Sequence, residues 1–264
     1  MLHFDSYFLD DLPSARVFDV FEPENITRDT VIFFVHGGGW SGGSRDTYHS
    51  IMAQLNKLGF LCATTDYRLV SGCLSIKVTA FDQLQDIRES YMQFMAVARK
   101  KIASPKAVVF GSSAGAHLAS LLLTAMPGEC GEENNLEKWE KPVAGILQST
   151  PVSFEPWADI FPSVWGCMQQ AAGALYEDDP ARFRSLSLVN YIRQDNPPLL
   201  FLEAGNEHMF PSEMTREIVE QHRKWNINSK WQVFDTAEHG FFYALTRRPQ
   251  KEAWQAILNF LEEI

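Results

Sequence analysis

Ser113 lies between two glycines in the run Gly111-Ser112-Ser113-Ala114-Gly115. A serine placed so that glycines allow a tight strand-to-helix turn presents its hydroxyl at the tip of that turn. A hydroxyl is a weak nucleophile at neutral pH. It needs a base within hydrogen-bond reach, and the base needs an acceptor that fixes its tautomer. Seven histidines can supply the base. His3, His36 and His49 precede the serine, His117 falls on the helix just after it, and His222 lies inside a later helix. His208 comes before any later acid in a suitable loop. His239, in Ala237-Glu238-His239-Gly240-Phe241, follows the last strand-like run and precedes the last helix-like one. That is where a base completes the order serine, acid, histidine. The natural acid is Glu207, in the loop Gly205-Asn206-Glu207-His208-Met209-Phe210-Pro211. Glu203 reads as still within a strand, Asp235 ends the next one, and Glu238 would have to fold back on its neighbour. The chemistry such a trio performs is acyl transfer.

Attack on a carbonyl builds negative charge on its oxygen, which preset backbone N–H groups stabilise. His36-Gly37-Gly38-Gly39-Trp40 is a source of such donors, with no side chains in the way at the glycines. Gly38 and Gly39 are the candidates, together with the N–H of Ala114. A glycine loop after a strand also suits phosphate, but neither G-x-x-x-x-G-K-[ST] nor G-x-G-x-x-G stands here. His36 reads as a structural hydrogen-bonding residue. Trp40, Trp157 and Trp165 are candidate substrate contacts, and ordinary packing accounts for them equally well.

These residues need a frame. Short apolar runs at Thr30–Val35, Leu61–Thr65, 107–110, 143–148, 198–204 and Lys230–Phe234 read as buried strands. Helical spacing appears at 46–57, with Asp46 as its cap, and at 79–103, 116–126, 212–225 and 246–264. Two weaker strand signals near residues 3–9 and 16–22 suggest a short edge hairpin. Strands alternating with helices predict a mostly parallel sheet with helices on both faces, in one domain over residues 1–264. In such sheets ligands bind beyond the carboxyl ends of the strands, and Ser113, residues 36–40, Glu207 and His239 all follow strands. Residues 152–194 break the rhythm. They carry Trp157, Phe161, Trp165, Met168, Tyr176 and Phe183 among prolines and glycines, as a cap over a site would. The acidic stretch 128–141 reads as a solvated surface loop.

A chain of 264 residues with a net charge of −10 carries no basic footprint for nucleic acid or an anionic membrane. No run approaches a membrane helix, and the N-terminus lacks the features of a signal peptide. The expected location is the cytoplasm. Cys62, Cys73, Cys130 and Cys167 show no metal-ligand spacing and read as reduced apolar residues. No metal site is expected. The sequence leaves open whether the chain works alone or as a homodimer.

Taken together, His36-Gly37-Gly38-Gly39-Trp40, Asp66-Tyr67-Arg68-Leu69, Gly111-Ser112-Ser113-Ala114-Gly115 and His239-Gly240-Phe241 resemble the α/β-hydrolase superfamily over residues 30–264. Within it the chain is similar to the hormone-sensitive-lipase-like and bacterial feruloyl/acetyl esterase group. The resemblance implies an α/β-hydrolase fold and a carboxylesterase using Ser113, His239 and Glu207 without a cofactor, on small, aryl-linked or carbohydrate-linked esters. An amidase or arylformamidase on the same trio, a peptidase, and a binding protein without activity are the alternatives. The family commonly places Asp, with a glycine three residues before it, where this chain has Glu207 and Ala204.

Overall fold

The computed structural model describes residues 4–10, 16–70, 77–134 and 136–264. The expectations at His3 and Cys73, and most of the 70–78 loop, lie outside them. Among the described residues eight strands form one sheet: β1 (Asp5–Phe8), β2 (Val17–Phe21), β3 (Thr30–Val35), β4 (Leu61–Thr65), β5 (Lys106–Ser112), β6 (Ala144–Gln148), β7 (Leu199–Ala204) and β8 (Lys230–Phe234). Their order is β1-β2-β4-β3-β5-β6-β7-β8. The first two pairings, β1 with β2 and β2 with β4, are antiparallel, and all others are parallel. This is the expected mostly parallel sheet with an antiparallel hairpin at one edge.

The sheet separates two apolar layers. Along β3, Val31, Phe33 and Val35 face one layer and Ile32 and Phe34 the other, as a period of two requires. The first layer is covered by α2 (Ala80–Arg99), α3 (Ala114–Thr124), α4 (Pro162–Ala172) and α6 (Ser212–Lys224); α5 (Pro180–Ser185) also contributes to it. The second is covered by α1 (His49–Lys57) and α7 (Arg248–Leu261). Central strands buried on both faces explain why they read as unbroken apolar runs. No helix among the described residues is long and apolar enough to cross a membrane.

Three expectations need correction. Asp46 does not cap a helix. Residues Arg45–Tyr48 form a 3₁₀ turn and α1 begins at His49. Asp66 accepts the Arg45 backbone N–H at 2.7 Å, and Asp66 and Asp19 both bind its guanidinium, so the entry is pinned as a tight turn. The helix expected over 79–103 is capped by Thr79, whose N–H donates to Asp82 at 2.8 Å, but it ends at Arg99. The acidic loop is not simply solvated: Glu132 is buried against Arg88 of α2, with 3.0 Å between them. Cys62, Cys130 and Cys167 are free cysteines.

Candidate active site

Ser113 joins β5 to α3 with φ 54° and ψ −123°. Residues other than glycine rarely adopt that conformation. The flanking glycines make it fit. A Cβ on Gly111 would stand 2.5 Å from the Gly115 carbonyl oxygen, and one on Gly115 would stand 2.3 Å from that of His36. Only bare backbone allows the Ser113 turn and the residue 36–40 loop to lie this close. The Ser113 N–H donates to the Gln148 carbonyl at 2.9 Å, which anchors the turn to the end of β6.

Three carboxyl-end loops meet at the serine. His239 Nε2 lies 2.8 Å from Ser113 Oγ, and His239 Nδ1 lies 2.6 Å from Glu207 Oε2. A carboxylate only accepts, so Nδ1 carries the proton and Nε2 is free to accept from the serine hydroxyl. The second Glu207 oxygen accepts the N–H groups of His208 and Met209, at 3.0 and 2.7 Å. Burial pushes the Glu207 carboxyl upward, but the bonds to His239, Met209 and Ser149 outweigh it and hold it below the usual range. Only 4% of the Glu207 side chain is exposed, against 22% for His239. The other acids lie apart. Asp235 is exposed, Glu238 pairs with Arg247, and Glu203 points into the β7–α6 seam near Thr215.

The donor loop is locked from below. Tyr67 donates its hydroxyl to the His36 carbonyl at 2.7 Å, and the two rings stack with centroids 4.3 Å apart. His36 Nδ1–H donates to the Gly37 carbonyl at 2.8 Å, and burial lowers its pKa, as suits a structural imidazole. Gly38 turns its carbonyl back to accept the Ser41 and Gly42 amides. Ala114 opens α3, where the first N–H groups have no intrahelical partner.

A cavity of about 520 Å³ opens over these groups. Gly38, Gly39 and Trp40 border it on one side, and Ser113 and His239 on another. Val164 and Cys167 of α4 border it too, with Phe210 beside the His239 ring. A larger polar cleft of about 990 Å³ between Arg16, Asp82, Glu129 and Arg182 holds none of the trio. Trp40 is where the sequence places it. Trp157 and Trp165 do not line the cavity: Trp157 packs near Phe210, and Trp165 packs on Tyr176 and Phe183. Residues the sequence reading passed over are Tyr48, Gln148, Ser149 and the inner face of α4. Gln148 donates to Ser112 Oγ at 3.1 Å and accepts the Phe242 N–H at 3.1 Å, tying the Ser113 turn to the His239 loop. Ser149 was findable from its position just after a strand.

The family model of BD-FAE matches residues 18–221. The chain belongs to the BD-FAE family. A second model, the dienelactone hydrolase family, matches residues 184–264, the part that carries Glu207 and His239. Among curated proteins, this BD-FAE chain is similar to Esterase LipQ of Mycobacterium tuberculosis, 24% identical over 252 residues covering 89% of the chain and 55% of LipQ. It is also similar to an acetylxylan esterase of Xylanibacter ruminicola, 25% identical, covering 92% of the chain and 47% of that protein. The chain thus spans about half the length of the curated relatives it matches. Thermogutta terrifontis esterase 2, phosphonylated by sarin, superposes with a TM-score of 0.77 at 21% identity, covering 98% of this chain and 93% of that one. Structures of the same esterase with propionate and butyrate bound superpose at 0.73 and 0.72. At that identity the likeness establishes the α/β-hydrolase fold of this BD-FAE member.

Proposed function

We propose that this chain is a serine carboxylester hydrolase in which Ser113 is the nucleophile, His239 the base and Glu207 the acid that orients it. The observation that carries the reading is the unbroken relay Ser113 Oγ, His239, Glu207, at 2.8 and 2.6 Å, opening onto an apolar cavity. Membership of BD-FAE and the esterase names of its relatives support it.

As Ser113 Oγ attacks the ester carbonyl, its proton passes to His239 Nε2, and Glu207 stabilises the imidazolium. The Gly38, Gly39 and Ala114 N–H groups receive the oxyanion, each worth about 3–4 kcal/mol in reactions of this kind. The tetrahedral adduct collapses, the His239 proton goes to the leaving alcohol, and an acyl-Ser113 ester remains. Water then attacks that ester, gives its proton to His239, and the adduct expels Ser113, which takes the proton back. Residues 152–194 act as a cap, with α4 forming one wall of the acyl or alcohol pocket.

Short acyl groups suit a cavity of this size, and the propionate and butyrate bound to the Thermogutta esterase agree with that. The test is hydrolysis of p-nitrophenyl acetate and butyrate by wild type and Ser113→Ala. The variant is expected to lose nearly all turnover and all labelling by a fluorophosphonate. Wild-type turnover in Ser113→Ala would overturn the assignment. A parallel screen of aryl formamides and acetylated sugars reads the leaving-group class.

A further inference from the structure

His117 is a fully buried imidazole four residues beyond Ser113, and the acyl-transfer steps do not use it. Its surroundings define what it does. His117 Nε2 lies 2.7 Å from the Leu186 carbonyl. A carbonyl oxygen can only accept, so Nε2 bears the proton. Nδ1 is then an acceptor, and it receives the indole N–H of Trp40 at 3.2 Å. Phe154 stacks on the ring at 4.3 Å, and Trp40 meets both rings edge-on. Burial depresses the imidazole pKa to about 4, consistent with a neutral ring held in one tautomer.

Trp40 is the residue that needs holding. It follows Gly38 and Gly39 directly and has φ 61°. That is the left-handed region, which disfavours a bulky side chain. Such strain persists where surrounding bonds over-determine it. Here the Trp40 carbonyl accepts Gln83 Nε2 at 2.7 Å and the Val70 N–H at 2.9 Å, while the indole N–H is held by His117. His117 stands on the helix that begins with Ala114. The two halves of the donor set, Ala114 on α3 and Gly38 and Gly39 on the loop, are therefore referenced to one another through one imidazole.

We propose that His117 is a positioning residue. It sets the oxyanion loop against the nucleophile helix through Trp40, and ties both to the segment covering the site through Leu186. This rests on the reading of Ser113 as nucleophile and Gly38 and Gly39 as donors.

The test separates the two hydrogen bonds. Asn at 117 places an amide oxygen near the Nδ1 position and keeps an acceptor for Trp40. Gln places an amide N–H near the Nε2 position and keeps a donor for Leu186. With p-nitrophenyl butyrate, His117→Gln is expected to lower kcat roughly tenfold or more with KM within about twofold, since a donor aimed at the developing oxyanion acts in the transition state. His117→Asn is expected to stay within about threefold of wild type. Trp40→Phe keeps the ring but removes the indole N–H. It should lose as much kcat as His117→Gln, and the double variant should lose no more than either alone. Wild-type kcat in His117→Gln, equal losses in the Asn and Gln variants, or additive losses in the double variant would each overturn the proposal. Absence of ester turnover and fluorophosphonate labelling in the wild-type protein would instead overturn the hydrolase reading, and this inference with it.

Discussion

Glu203 is a carboxylic acid in a strand, 2% exposed, and one of its oxygens has no hydrogen-bond partner among the described residues. Burial pushes its pKa from 4.5 up to about 7, the Thr215 hydroxyl opposes this, and the nearby Glu207 and Glu213 charges add to it. The native state therefore keeps a proton that the unfolded chain has released anywhere between pH 4.5 and 7. Stability fully present below pH 4.5 is lost as pH rises through 7. Linkage puts the loss at about 1 kcal/mol by pH 5 and about 3 kcal/mol by pH 8. Glu203→Gln keeps the shape and cannot ionise. Whatever its offset from wild type at pH 5, that offset should move in favour of the variant by about 2 kcal/mol at pH 8. For a chain of this size the same change is a relative rise in Tm of roughly 4–8 °C. Urea unfolding of both proteins at the two pH values, extrapolated to water, measures it; groups shared by the two proteins cancel. An offset that does not change with pH would refute the reasoning, because a carboxyl that costs nothing to ionise is not buried as described.

Glu207→Gln should lower kcat on a short p-nitrophenyl ester roughly 10³–10⁴-fold, while Asp235→Asn stays within about twofold; a larger loss in the second would move the acid to Asp235. A Cβ on Gly38 would stand 2.3 Å from the Gly42 carbonyl oxygen. Gly38→Ala should therefore displace a donor and lower kcat by roughly 10²-fold. Gly39 has open space at its Cβ position and a φ of +58°. Gly39→Ala should thus show only about 1 kcal/mol of destabilisation in a urea melt. Arg88→Met should destabilise by about 3–5 kcal/mol by leaving Glu132 buried without its cation, and Arg88→Met with Glu132→Gln should recover part of that in the same melt.

Strands were legible where burial on both faces left nothing to interrupt an apolar run. The bounds of β3, β4 and β8 coincide with those read from residues alone. That Ser113, His239 and Glu207 meet was legible because the topology places each after a strand, so chain order and geometry carry the same information. The misreadings share a different cause. Asp46 has the chemistry of a cap, but Asp19 and Asp66, far along the chain, take hold of Arg45 beside it. Glu132 looks like one charge among several in an acidic loop until Arg88 of α2 is beside it. On α4 the aromatic residue drew attention, yet Trp165 packs on Tyr176 and Phe183 while Val164 and Cys167 turn to the cavity. Helix phase shows which residues share a face, not which face meets a ligand. His117 carries no local signal of its role, because its partners lie 77 and 69 residues away.

The hydrogen-bonded trio is assembled across one half of the sheet, from β5 to β8, and its last member comes from beyond the edge strand β8. Ser113 and His239 are 126 residues apart. At a translation rate of about 5–20 residues per second, the ribosome makes the serine roughly 6–25 s before the histidine. During that interval the Ser113 turn holds an ordinary alcohol. On the proposed reading, the serine gains its base only once His239 is in place beyond β8. On the same reading, a nascent chain that has not yet supplied His239 would hold Ser113 without its base and stay inert toward esters.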